Sequence, residues 1–207
     1  MTRLLGAFRR ERNGLVADTM HYDGARYGLN YGVSLTTVRR LVRELEPDRD
    51  EQFARFLLAQ QVRCLQLSAL HLADPKAWQG ADDARVWLDA LKNSEQAEEA
   101  AYALFGRMES LDTLFNADFE HLPVYAQYGL LMAAARYANP RAEWLDVAYE
   151  AAVRHEHRLF AQATVALWAH AANADDVTKK VVLDRLQTLG TTSLDTLLRE
   201  ELAWRIL

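Results

Sequence analysis

Four segments of this chain are apolar on almost every side when placed on a helix, and this constrains the fold more than any other feature. They span 62–73, 97–108, 128–138 and 157–172, and they mix alanine with larger apolar residues. A helix of this kind has to be covered by other elements on all sides. The starts of the four segments lie 35, 31 and 29 residues apart. The pattern therefore predicts a layered helical array with these segments as its inner helices.

The rest of the chain shows the same helical periodicity, and no segment alternates strictly with β-branched residues, so we predict an all-α fold without strands. The predicted helices span 2–20, 35–46, 49–59, 60–73, 81–91, 94–108, 122–138, 141–152, 155–172, 175–189 and 193–206. Turn-forming residues separate them at Pro47, Asp74-Pro75, Gln79-Gly80, Leu122-Pro123, Asn139-Pro140 and Gly190, and the Asn13-Gly14 pair favours a break within the first helix. Short connections of this kind are typical of stacked helical hairpins.

Length and composition indicate one domain, 1–207, of a protein in a reducing compartment. Cys64 is the only cysteine, which excludes an internal disulfide and a thiol-rich metal site. The arginine-rich N-terminus lacks the apolar block of a signal peptide, and no apolar run is long enough to span a membrane. We therefore expect a cytoplasmic protein. The net charge is −5, but residues 1–44 carry about +4, and a local basic face suffices to bind phosphates.

A glycine-containing loop followed by an amphipathic helix is the most informative motif. Residues 27–43 read YGLNYGVSLTTVRRLVR. Ser34 is a candidate N-cap for the helix that follows it. Apolar residues share one face of this helix, and Arg39, Arg40 and Arg43 fall on the other. The motif indicates a surface that contacts an anion. It is not a phosphate-binding P-loop, because the Gly-Lys-Ser/Thr ending is absent.

This motif resembles the YGVS-x-P-x-x-R segment of the DNA alkylation repair family, the AlkD-like proteins. A second stretch, QVRCLQLSALHLA at 61–73, is similar to the family's HE-x-R-x-x-A helix. The resemblance implies a HEAT-like helical-repeat solenoid of about five to six helix pairs, whose concave face holds double-stranded DNA. It also implies cleavage of the N-glycosidic bond of N3- or N7-alkylated purines without a metal or an organic cofactor.

The chain departs from the family pattern at the catalytic helix. The family carries a tryptophan followed four residues later by an aspartate, whereas residues 93–105 read NSEQAEEAAYALF. If base excision takes place, the candidate carboxylates are Glu95, Glu98 and Glu99, with Tyr102 or Trp144 as the aromatic partner. Such groups stabilise a cationic sugar by Coulomb attraction and by cation–π contact. Because the Trp/Asp pair is absent, two alternatives remain: the chain retains glycosylase activity, or it binds DNA without excising a base.

The candidate residues for DNA contacts are basic or aromatic, and each has an ordinary structural alternative. The arginines could equally form a solvated face or salt bridges, and the aromatic rings could pack in the core. These candidates are Tyr27, Arg39, Arg40, Arg43, Arg63, Arg136 and Trp144. No metal site is predicted, because His155 and His157 lie two residues apart and point away from one another on a helix. The alternative function is a non-catalytic scaffold that binds a protein partner.

Overall fold

The computed structural model describes residues 1–22, 27–46, 48–78, 81–116 and 119–206. The predicted breaks at Pro47 and at Gln79-Gly80 lie outside these residues. The chain divides into two compact units, Met1–Met108 and Glu109–Leu207. The described residues are helical and form no strand, which confirms the all-α prediction. The HEAT-like solenoid and the single domain over 1–207 stay predictions.

Unit 1, Met1–Met108, contains seven described α-helices. They are α1 (Thr2–Arg10), α2 (Gly14–Tyr22), α3 (Leu35–Leu45), α4 (Glu51–Leu58), α5 (Arg63–Leu72), α6 (Ala81–Ala90) and α7 (Ser94–Ala103). Two 3₁₀ turns, Pro75–Ala77 and Phe105–Arg107, follow α5 and α7. The predicted first helix is interrupted at Asn13-Gly14, as the turn-forming pair indicates.

Helix α5 is the central helix of unit 1. Eight of its ten residues are buried, and it packs against α1, α3, α4 and α7. This burial confirms that segment 62–73 supplies an inner helix. Helix α7 has six buried residues among its ten and lies beside α5. The functional side chains described below are carried by these two helices and by α3.

Unit 2, Glu109–Leu207, is also built around one helix. Its described elements are α8 (Asp112–Asn116), a 3₁₀ turn (Phe119–His121), α9 (Val124–Ala134), α10 (Glu143–His155), α11 (Arg158–Ala174), α12 (Asp176–Thr188) and α13 (Ser193–Ile206). Helix α11 contacts α9, α10, α12 and α13. Helix α9 is mostly buried as well, so the two inner segments predicted for this half of the chain are confirmed.

The loop before α3 is fixed on both sides by close backbone contacts. Gly32 has a φ of +66°, and a Cβ atom there would lie 1.8 Å from the carbonyl oxygen of Asn13. On the other side, the Leu29 N–H donates to the carbonyl of Gln61, at 2.8 Å. Ser34 then caps α3 by accepting a hydrogen bond from the Thr37 N–H, at 3.1 Å, as predicted. The loop therefore orients the arginine-bearing helix relative to the N-terminus of α5.

Among the described residues, no helix combines the length and the apolar character that a membrane span requires.

Candidate anion-binding site

Helix α3 presents arginines because its other face is used for packing. Val38, Leu41 and Val42 are buried in unit 1. Arg39 and Arg43 lie four residues apart, so they share one face of the helix on the side away from this core. Arg40 points elsewhere and forms surface ion pairs with Glu11, at 3.3 Å, and Glu44, at 2.9 Å.

Glu99 of α7 anchors the first polar cluster. Its side chain is 1% exposed and receives two hydrogen bonds from Arg39, from Nε at 3.0 Å and from Nη2 at 2.5 Å. Nε2 of His71, on α5, is hydrogen-bonded to the same carboxylate. Burial alone raises the pKa of Glu99, but the hydrogen bonds from His71 and Arg39 outweigh burial, and the net pKa is lowered. Glu99 is therefore a carboxylate at neutral pH, bound on both oxygens.

Glu95, one turn earlier on α7, anchors the second polar cluster. Arg63 Nε donates to its Oε2 at 2.7 Å, Arg63 Nη2 donates to its Oε1, and the Tyr27 hydroxyl donates to Oε2 at 2.6 Å. The remaining Nη1 of Arg63 donates to the carbonyl of Val33, at 2.6 Å. Because the Arg63 side chain is only 3% exposed, the cluster is a buried ion pair that fixes the loop to α5 and α7.

A cavity of about 480 Å³ opens beside the first cluster. His71 and Tyr102 line it together with charged side chains. The charged residues are Arg39, Arg43, Glu46, Asp48, Arg49 and Arg107. The Tyr102 ring is 58% exposed, and the Arg39 guanidinium carbon lies 4.6 Å from its centroid, within cation–π distance. Four arginines and two carboxylates leave the lining with net positive charge.

Arg107 contributes a partly desolvated cation to this cavity. Its guanidinium donates to the carbonyls of Leu70, His71 and Ala73, at 2.9, 3.2 and 3.0 Å, and so satisfies the C-terminal end of α5. Burial, together with repulsion by the Arg49 charge, lowers the pKa of Arg107 to about 10. Arg107 therefore remains a cation at neutral pH, and an anion in the cavity would relieve its repulsion with Arg49.

Arg43 and Arg49 differ from Arg39, which lines the same cavity, in their charge environment. Both are exposed, and neither forms an ion pair with a carboxylate of the described residues. By contrast, Arg39, Arg55, Arg63 and Arg85 each bind a carboxylate directly. Two guanidinium groups at the cavity are therefore available to an incoming anion.

The structure brings most of the sequence-predicted residues together in unit 1. Arg39, Glu99 and Tyr102 form the first cluster, and Tyr27, Arg63 and Glu95 form the second. Arg43 lies at the cavity, while Glu98 is exposed on α7.

Three of the residues predicted to contact DNA are engaged inside their units, and their DNA contacts stay predictions. Arg63 and Tyr27 are engaged by Glu95 inside unit 1 rather than projecting from its surface. Trp144 is buried in the core of unit 2, where its ring stacks on Phe115 with 4.7 Å between centroids. Arg136 is exposed in unit 2, and its Nη1 donates to the Met132 carbonyl at 3.0 Å.

Sequence reasoning missed three residues of the cavity, His71, Arg49 and Arg107. His71 lies within the 61–73 motif, eight residues after Arg63, so both residues fall on one side of the predicted helix. That position was the signal in the sequence that could have identified His71. Arg107 was placed inside a predicted helix 94–108, whereas α7 ends at Ala103 and the following 3₁₀ turn redirects the chain. No sequence signal distinguished Arg49.

Comparisons with protein-family models, with curated proteins and with solved structures find no match to this chain. In the part of the chain that the structure describes, no group of three His, Cys, Asp or Glu side chains is placed to hold a metal ion.

Because the Tyr27 hydroxyl is hydrogen-bonded to Glu95, we expect the free energy of unfolding to fall at alkaline pH. Burial, and next the negative charge of Glu95, raise the pKa of Tyr27 far above its usual value. Above pH ~10 the unfolded chain releases this proton while the folded protein keeps it, so the free energy of unfolding falls as pH rises. Tyr27→Phe should be less stable by about 1–2 kcal/mol below that pH, and should then decline less steeply. Urea unfolding at a series of pH values checks this, and an unchanged slope would contradict it.

Proposed function

We propose that unit 1 binds double-stranded DNA through contacts between the arginines of its cavity and backbone phosphates. The observation that carries the proposal is the presence of Arg43 and Arg49 at the cavity without a carboxylate partner among the described residues. Guanidinium groups match phosphate oxygens in charge and geometry. The resemblance to the DNA alkylation repair family, on residues 31–43 and 61–73, supports the same ligand.

The two arginine-bound glutamates favour binding over base excision. Glu95 and Glu99 each accept hydrogen bonds from a guanidinium, so their charge is already neutralised. A carboxylate in this state contributes little to stabilising a cationic sugar. We therefore assign both residues to positioning Arg63, Arg39 and His71 rather than to the removal of a base.

A second candidate function, excision of an alkylated purine, is favoured by one observation. Glu98 and Tyr102 lie four residues apart on α7 and are both exposed, so a carboxylate and an aromatic ring share one face of the helix, and Glu98 also interacts with another group of the protein. The order of the two residue types is the reverse of that in the family. Release of the base from an alkylated duplex, lost in Glu98→Gln, would establish this activity.

The salt dependence of binding to an unmodified duplex tests the primary proposal. For each phosphate that an arginine neutralises, the slope of log affinity against log salt changes by about 0.9. Arg43→Ala should therefore lower the affinity and reduce the slope by about 0.9, as measured by fluorescence anisotropy at several salt concentrations between about 50 and 200 mM.

The matched control is Arg85→Ala, which also removes one exposed arginine of unit 1. Arg85 is paired with Asp89 on α6 and does not line the cavity, so the slope should stay at the wild-type value. Equal slopes for Arg43→Ala and the wild type would rule out a phosphate contact by Arg43. If no duplex binds in a salt-dependent way, the DNA proposal fails and a scaffold for a protein partner becomes the better hypothesis.

A further inference from the structure

The placement of the cations around the cavity bears on which phosphate it binds. Its cationic side chains come from different elements: Arg39 and Arg43 from α3, Arg49 from the segment after it, and Arg107 from the 3₁₀ turn after α7. Its volume of about 480 Å³ lies within the range of small-ligand pockets, ~300–1,000 Å³. An internal phosphodiester is flanked by two sugars, so it suits an open surface. The cavity is about half open, and cations placed on several of its sides can contact the terminal oxygens of a phosphate at the end of a strand.

The charge of the lining also distinguishes the two kinds of phosphate. A phosphodiester carries one negative charge, whereas a phosphomonoester carries about −1.5 to −2 at neutral pH and has three terminal oxygens. Arg43 and Arg49 supply two positive charges that no described carboxylate neutralises by an ion pair. The carboxylates of Glu46 and Asp48 in the same lining repel an anion, but the four arginines outnumber them, so the net attraction grows with the charge of the ligand.

His71 adds a hydrogen-bonding atom in a fixed position. Its Nε2 is bound to the Glu99 carboxylate, which can only accept, so Nε2 carries the proton. The other ring nitrogen, Nδ1, has no hydrogen bond to any residue of the described ranges. A neutral Nδ1 can accept a hydrogen bond from the P–OH group of a monoester. An internal phosphodiester has no P–OH group to donate.

The exposed ring of Tyr102 lines the same cavity and offers a surface for the nucleotide next to the phosphate. The Arg39 guanidinium, held by Glu99, covers one face of this ring, so only the opposite face can accept a base. Stacking of a base on an aromatic side chain is largely independent of sequence. We propose that the cavity binds a nucleotide phosphomonoester, the terminal phosphate of a DNA strand or of a free mononucleotide, through Arg43, Arg49 and His71, with the uncovered face of Tyr102 against the base.

This inference rests on the proposed DNA binding for the strand-end ligand, and the test separates the two. Four duplexes of one sequence are compared: with 5′-phosphates, with 3′-phosphates, with hydroxyl ends, and closed by a hairpin loop at each end. We expect one of the phosphorylated duplexes to bind about tenfold or more tightly than the others, the factor that one added charge-assisted hydrogen bond supplies. The hydroxyl-ended and closed duplexes should bind alike.

Variants and a small probe complete the experiment. Arg49→Ala and His71→Gln should remove the preference for phosphorylated ends, while Arg85→Ala should keep it. A free mononucleoside 5′-monophosphate should compete for the site, and the corresponding nucleoside should not.

Each outcome then bears on one of the two proposals. Equal salt-dependent binding of all four duplexes, without competition by the monophosphate, overturns the phosphomonoester site and leaves DNA binding intact. If no duplex binds but the free monophosphate binds and Arg49→Ala weakens that binding, the DNA proposal fails. The phosphomonoester site then stands, with a free mononucleotide as its ligand. If neither binds, both fail.

Discussion

Glu95→Ala is expected to lower the free energy of unfolding by about 3–5 kcal/mol. The side chain of Arg63 is 3% exposed, and two of its nitrogens donate to Glu95. Removing the carboxylate leaves the guanidinium buried with only the Val33 carbonyl as a partner, and the Tyr27 hydroxyl loses its charged acceptor. A buried charge without a counter-ion is far less favourable than one that water can reach. Urea unfolding of the full chain, followed by circular dichroism, measures the change.

The surface pair between Arg40 and Glu44 is the matched control. It also joins an arginine of α3 to a glutamate, at 2.9 Å, but both side chains are about half exposed. Glu44→Ala should therefore cost ~1 kcal/mol or less. If Glu95→Ala is no more damaging than Glu44→Ala, then Arg63 is not an isolated buried charge in that variant.

A double variant separates the lost attraction from the unpaired charge. Arg63→Met with Glu95→Leu removes both ions and fills the site with apolar side chains. Replacing a whole buried pair in this way is often close to neutral, in contrast to removing one partner. The double variant should therefore be more stable than Glu95→Ala. A double variant as unstable as the single one would show that hydrogen bonds to the loop, and not the charge, hold this region together.

Trp168→Ala should cost about 3–5 kcal/mol, mainly through the cavity that the substitution leaves in unit 2. Trp168 is 1% exposed on α11, the helix that α9, α10, α12 and α13 surround. Its Nε1 donates to the Leu145 carbonyl of α10, at 3.1 Å, and the alanine variant loses this hydrogen bond as well. Because four helices surround α11, they cannot easily move inward to fill the cavity that the substitution leaves. Urea unfolding and amide hydrogen exchange of α11 check this expectation.

Trp204→Ala is the control for this substitution. Trp204 is in the same unit but 68% exposed, and the Arg205 guanidinium carbon lies 4.5 Å from its ring centroid. Loss of such an exposed cation–π contact is expected to cost about 0.5–1 kcal/mol. Similar costs for the two tryptophan variants would contradict the central position of α11. Trp168→Phe should fall between them, because it keeps most of the ring volume but not the hydrogen bond.

The helices could be predicted because their pattern is local. The predicted helix 35–46 and its serine cap match Leu35–Leu45 with Ser34, and the predicted 193–206 matches α13. The short helix Asp112–Asn116 was not predicted, because five residues are too few to show a helical period. The end of α7 at Ala103 was also missed, since apolar residues continue past it without a glycine or proline until Gly106.

By itself, the sequence determined that this protein is helical, which segments are its inner helices, and that α3 carries its arginines on one face. The partners of those arginines were decided by the tertiary structure alone. Arg39 and Glu99 are 60 residues apart, and Arg63 and Glu95 are 32 apart. A helical period fixes which side of a helix a residue occupies, but only the packing of α3, α5 and α7 decides which charges meet. That packing neutralises Arg39 and Arg63 and leaves Arg43 and Arg49 to the cavity.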